Sequence, residues 1–177
     1  MTIKQINEYL ASSDDKQIKK ALAGLKTDGN ASVIVPLADL LLKEKDAPKF
    51  QKEILEIFSS LKDTSTVETM IEVIRTEKYL PVRQLLLSTI WNTGLDYTQY
   101  VPDFVLIACE GDFMEALDCL TILENVPSEI EERHILESQW HLKEYLESTE
   151  PKEERKAQII SEIALFLKDA DQQIDGY

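Results

Sequence analysis

The sequence predicts an all-α protein: an α-solenoid of about four stacked helical hairpins closed by a C-terminal helical cap. Three observations predict it. Cutting the middle of the chain at Ala31, Thr64 and Tyr97 gives three blocks of equal length, each an apolar helix, a short polar or Pro-containing turn and a second apolar helix. One such hairpin cannot bury its own apolar face, whereas stacking on neighbours does. Five Gly and six Pro are too few for the turns of a sandwich or barrel, and the abundant Leu, Ile, Glu and Lys suit helices. The hydrophobic fraction, 44% of 177 residues, supports a real core. The expected organisation is a single solenoid domain over 1–177, with repeats over 15–126 and a charged helix pair over 127–177.

The elements follow in order. Ile3, Ile6 and Leu10 give a short amphipathic opening helix. Ser13, Asp14 and Asp15 supply caps for the next, whose stripe is Ile18, Ala21, Leu22 and Leu25. Thr27-Asp28-Gly29-Asn30 ends it, with Gly29 suited to a left-handed C′ position. The first block runs from Ser32 to Lys45, turns at Asp46-Ala47-Pro48, and continues with Phe50, Ile54, Ile57, Phe58 and Leu61 inward. The second opens at Ser65, with Glu68 three residues on as a capping box. Tyr79-Leu80-Pro81 turns it into a helix from Val82 to Thr93. The third carries Val101, Phe104, Val105 and Ile107, turns at Gly111-Asp112, and continues through Ala116, Leu120 and Leu123. Two longer helices close the chain. One starts at Ser128 with Glu131 in the capping position, and the other has Pro151 at its first position. Their charged outer faces fit a terminal cap.

At the second block the sequence resembles the HEAT repeats. Leu80-Pro81-Val82-Arg83-Gln84-Leu85-Leu86-Leu87-Ser88-Thr89-Ile90 is similar to the family's second helix, where Val-Arg follows Pro or a turn. Val33 to Leu41 is similar to its first helix. The other blocks depart from the pattern, with Phe50-Gln51 and Phe113-Met114 in place of Val-Arg. The resemblance covers about 15–126 and implies a scaffold or adaptor. Enzymes of the family, namely protein hydroxylases, bilin lyases and alkylpurine DNA glycosylases, are what it implies otherwise.

The formal net charge is −14, and residues 127–177 hold half of it, with 13 Asp/Glu against 6 Lys/Arg. Such a field repels phosphate backbones and anionic lipid, which argues against nucleic acid and membrane partners and for a basic or neutral protein partner, or plain solubility. The densest basic patch, Lys16, Lys19, Lys20 and Lys26, opposes that field only locally. Cys109 and Cys119 read as reduced core residues. The opening residues hold no apolar signal region, and the longest apolar run, Val33 to Leu42, is broken by Pro36 and Asp39. A cytoplasmic protein is expected.

Chemistry-bearing patterns are sparse. His134 and His141 share one helix with Glu131, Glu137 and Glu144 close by. Glu131-x-x-His134 is half of a di-iron motif, whose second half is missing, and His134, Glu137 and His141 could form a surface zinc site. Half-buried packing histidines are the expectation instead. The acidic doublets at 14–15, 131–132 and 153–154 suit helix N-termini. No nucleophile elbow, phosphate loop or dinucleotide turn occurs. No cofactor, metal or catalytic residue is therefore expected.

The interaction signal lies on the helix from Val82. With Val82, Leu85, Leu86, Thr89 and Ile90 taken as the core arc, Leu87 and Trp91 fall roughly on the other side next to Gln84 and Ser88, with Arg83 and Gln84 as polar contacts, or Arg83 bonded within the fold instead. Lys52 flanks this row on one side and Asp118 and Ile122 on the other, in a HEAT-like register. The expected function is a non-catalytic adaptor that takes a protein partner on this concave row, as a monomer or a weak homodimer. The rival readings are a HEAT-like enzyme, or a structural homodimer through the C-terminal helices.

Overall fold

The computed structural model describes residues 1–26 and 29–175. Among these residues the regular structure is helical throughout, without a strand. The chain divides into two compact units, 1–95 and 96–177.

The first unit contains α1 (Ile3–Leu10), α2 (Asp15–Leu25), α3 (Ala31–Lys43), α4 (Gln51–Ser59), α5 (Thr66–Arg75) and α6 (Arg83–Ile90). Successive pairs touch as hairpins, α1 with α2, α3 with α4 and α5 with α6. Across the hairpins, α3 touches both α1 and α5, and α4 touches both α2 and α6. Each helix thus has neighbours on several sides. Ile34, Leu37 and Leu41 of α3, Ile54 and Phe58 of α4, Met70 and Ile74 of α5, and Leu86 and Leu87 of α6 are fully buried.

Local chemistry sets the helix starts. At α1 the Thr2 hydroxyl accepts the Gln5 N–H at 3.2 Å and the Gln5 side chain accepts the Thr2 N–H at 3.0 Å, a reciprocal cap. Asp14 caps α2 and Asn30 caps α3, each accepting the N–H two residues on at 2.9 Å. The expected turn at Thr27-Asp28 lies outside the described residues. At Gly29 a Cβ would come within 2.9 Å of the Leu61 side chain, so the bare backbone permits the close approach.

Three starts differ from the sequence reading. Ser65 and Glu68 form no capping box; the Ser65 hydroxyl instead accepts the Ala31 N–H at 3.3 Å, while Asp63 accepts the Ser65 N–H at 2.9 Å. Ser128 starts no helix. Its hydroxyl donates to Asp96 at 2.6 Å, and α9 begins at Glu132. Pro151 precedes α10 rather than opening it, because the Glu153 carboxylate accepts the Arg155 and Lys156 N–H groups at 3.1 and 2.7 Å and so fixes the start at Glu154.

The Tyr79-Leu80-Pro81 turn is a 3-10 helix, Glu77–Val82. It is fastened to α3: Lys78 Nζ and the Tyr79 hydroxyl donate to the Asp39 carboxylate at 2.6 and 2.7 Å. The expected helix from Val82 is α6 followed by a 3-10 turn, Trp91–Thr93, which Gly94 ends at φ 72°. A left-handed residue there closes the turn, and only glycine takes it without strain.

The second unit contains a 3-10 turn (Thr98–Tyr100), α7 (Val101–Glu110), α8 (Phe113–Glu124), α9 (Glu132–Glu147) and α10 (Glu154–Asp175). α7 touches α8 and α9, and α10 touches all three of the others. Asp112 and Glu115 cap α8 reciprocally. Phe104, Ala116, Leu123, Ile135, Ile163 and Leu167 fill the core. Tyr97 meets Phe104 edge to face, with ring centroids 5.9 Å apart.

Candidate functional site

The row of residues expected to bind a partner is not an open surface. Leu87 is 0% exposed, Arg83 and Ile122 are buried, and Gln84 and Asp118 are half-buried. Only Lys52 and Trp91 are exposed. The reason is the rotation of α6. Its buried arc centres on Leu86 and Ile90 and takes in Arg83 and Leu87, leaving Leu85 half-buried. A short helix flanked by α4, α5 and the 3-10 segment is apolar over a wide arc, so Leu87 belongs to the core. Lys52, Arg83, Gln84, Leu87 and Trp91 lie in the first unit, and Asp118 and Ile122 in the second.

A different helix carries the exposed apolar pair. On α9, Ile135, Ser138 and Leu142 are buried, while Leu136 and Trp140, one turn apart, are each 57% exposed. They occupy the arc away from the buried stripe. Around them stand Glu132, Glu137, Glu144 and Glu147, all exposed, against Arg133 and Lys143. Both cations already have carboxylates: Arg133 Nε lies 2.7 Å from Glu131, and Lys143 Nζ lies 3.9 Å from Glu147. Lys143 also lies over the Trp140 ring at 5.9 Å. The face is therefore an apolar centre in an acidic rim. The pattern was present in the sequence as Leu136-x-x-x-Trp140, and the buried alternative at Ile135, Ser138 and Leu142 is what reveals it.

The second unit also holds a half-open cavity of about 800 Å³ between the end of α7, the start of α8, the end of α9 and the start of α10. Leu106, Phe113, Tyr145 and Pro151 give it apolar wall, and Cys109 and His141 join them. This brings a cysteine and a histidine together that are distant in sequence. The pairing is not that of a nucleophile and its base. Cys109 Sγ approaches the His141 backbone carbonyl, at 3.9 Å, rather than the ring. Burial pushes the Cys109 thiol up to about 11, against the opposing charge of Lys156. A nucleophilic cysteine needs the reverse shift. Cys119 is buried, and both thiols are free.

Two polar atoms in this wall are buried without a partner, His141 Nδ1 and the Tyr145 hydroxyl. Burial also raises the Tyr145 pKa, helped by the charges of Cys109 and Glu153. His134 and His141 are both half-buried, and His141 Nε2 lies 3.9 Å from Glu137. Among the described residues no group of three His, Cys, Asp or Glu side chains is placed to hold a metal ion, and no helix is long and apolar enough to cross a membrane.

Compared with known protein families, curated proteins and solved structures, the chain matches none of them.

Proposed function

We propose that this protein is a non-catalytic protein-binding adaptor built on a HEAT-like stack of helical hairpins, and that it takes a basic helical segment of its partner on the outer face of α9. The observation that carries this is the exposed Leu136–Trp140 pair inside an acidic rim. Trp at the centre of a polar-rimmed patch is the residue type that most often dominates a protein interface. The rim selects the occupant. Arg133 and Lys143 are already engaged by glutamates, so the surplus on this face is negative and a basic segment complements it. A second copy would set the same acidic rim against itself, which disfavours self-pairing through this face. The two-row helix contacts in each unit, α3 between α1 and α5, α4 between α2 and α6, and α7 and α8 against α9 and α10, support the stacked reading.

The test is a capture from cell lysate with the wild-type chain beside a Leu136→Glu/Trp140→Ala variant of equal helical melt. Proteins lost from the variant are identified and reconstituted with the purified chain. Support requires a partner whose contact segment is basic, whose affinity falls with salt, and whose binding shifts the Trp140 emission in a Trp91→Phe background. A Trp→Ala change at a hot spot costs about 2 kcal/mol or more, roughly thirtyfold in affinity. Identical captures by the two proteins, or a mass that doubles with concentration only when the pair is intact, would overturn the reading, the second in favour of a homodimer.

A further inference from the structure

The cavity of the second unit has a feature its position does not explain. Lys152, Arg155 and Lys156 all line it, and among the described residues none of the three forms an ion pair. Five carboxylates share the lining, Glu110, Asp112, Glu144, Glu150 and Glu153, yet none of them lies within ion-pair distance of these three cations.

The acidic lining residues do not neutralise them directly. The Asp112 carboxylate is turned to the start of α8, accepting the Glu115 N–H at 2.9 Å. Glu153 is turned to the start of α10, accepting two backbone N–H groups. Glu110, Glu144 and Glu150 are solvent-exposed. The cations rest instead on rings. The Arg155 guanidinium lies 4.0 Å from the Phe113 centroid, and Lys156 and Lys152 lie 5.0 and 5.5 Å from that of Tyr145. Each lysine spends one donor on a helix-end carbonyl, Lys156 on Cys109 at 2.5 Å and Lys152 on Ser148 at 2.7 Å. A lysine has three donors, so two remain on each, and the Arg155 side chain donates to no described residue. The Tyr145 hydroxyl, behind the same wall, is buried and unpartnered.

From this arrangement we infer that the cavity binds a small organic oxyanion, a carboxylate or phosphate head on an apolar body. Arg155, held over the Phe113 ring, takes the head group through its planar fork, which matches two oxygens at once. Lys152 and Lys156, both over the Tyr145 ring, supply further charge. The apolar body lies against Leu106, Phe113 and Pro151. About 800 Å³ is the size of a small-molecule site, and an apolar wall with a few convergent polar groups is its usual composition.

The experiment is titration calorimetry on the full chain with phenyl phosphate, phenylacetate and the neutral phenylacetamide, with inorganic phosphate as competitor. The expected result is binding of at least one organic anion, with phenylacetamide at least tenfold weaker. The phosphate and carboxylate arms tell which head group the site takes. Arg155→Gln, at an exposed position, weakens the anion about tenfold, equivalent to ~1.4 kcal/mol, while the helical melt is unchanged. Trp140→Ala, which does not line the cavity, leaves anion affinity as it was, so this result and the adaptor reading stand or fall separately. Equal binding of the amide, full displacement by equimolar inorganic phosphate, no binding of either anion at millimolar concentration, or an Arg155→Gln variant of wild-type affinity overturns the inference.

Discussion

Replacing Leu87 by Ala separates a core position from a surface anchor in one measurement. Leu87 is 0% exposed. The change removes three buried carbons, worth about 0.8 kcal/mol each, or ~2.4 kcal/mol of lost transfer energy. A flanked, close-packed site relaxes only partly. A residual void on the order of 40 Å³, at about 24 cal/mol per Å³, adds ~1 kcal/mol. The total is about 3 kcal/mol. For a chain of this length each kcal/mol lowers the melting temperature by about 2–4 °C, so the variant should melt about 6–12 °C lower. Trp91→Ala, at a residue 45% exposed, should cost about 1 kcal/mol or less. The assay is thermal unfolding followed by far-ultraviolet circular dichroism and by calorimetry, run on both variants and the wild type. A Leu87→Ala melt within 2 °C of wild type, or a Trp91→Ala loss equal to it, would refute the placement of α6.

Two further outcomes follow from individual contacts. Burial pushes the Asp39 carboxyl up, but the hydrogen bonds from Lys78 and Tyr79 and the Lys78 charge outweigh it, and the net shift is downward from 3.8. A depressed carboxyl stabilises the fold above its unfolded pKa and ceases to do so as pH falls through the folded one. Asp39→Asn should therefore melt below wild type at pH 7, and the gap should close below pH 3.8; with Asp39 45% exposed it should stay under about 1 kcal/mol, and a gap that widens in acid would contradict the contact. Gly94→Ala has no steric neighbour within 4 Å, so its cost is the left-handed backbone alone, about 1 kcal/mol, whereas Gly94→Asn should recover part of it. Equal stability of Gly94→Ala and wild type in urea would show that the turn takes another conformation.

The apolar stripes were legible in the sequence wherever the apolar residues keep to one narrow arc of the helix. Ile18, Leu22 and Leu25 of α2, and Ile54, Ile57 and Phe58 of α4, are buried as their spacing implies. The reading failed at α6, where neighbours on several sides widen the apolar arc and the wheel alone leaves its centre undetermined. Caps failed where a long-range partner competed with a local one. Ser65 and Ser128 both occupy plausible N-cap positions, but Ala31 and Asp96, each more than thirty residues away in sequence, take their side chains. The cavity could not be read at all. Cys109, Phe113, Tyr145 and Arg155 come from four different helices, and only the packing of α7 to α10 brings them to one wall.

The two candidate surfaces of the second unit also differ in how they are maintained, and this bears on what each can do. Leu136 and Trp140 leave more than half their area in water, a cost the fold does not need, since Ile135 and Leu142 already bury α9. The acidic rim offsets the hazard: in a chain of net charge −14, copies repel one another before the apolar centres meet. A basic partner experiences the opposite field, so the same charges that keep copies apart accelerate the productive encounter, and raising the salt should slow association more than it speeds dissociation. The cavity is held differently: its three cations rest on Phe113, Tyr145 and two helix-end carbonyls rather than on the carboxylates that share the lining, and the proposed oxyanion would take the donors left free. Adding that occupant should raise the melting temperature of the wild-type chain by mass action and leave that of Arg155→Gln nearly unmoved.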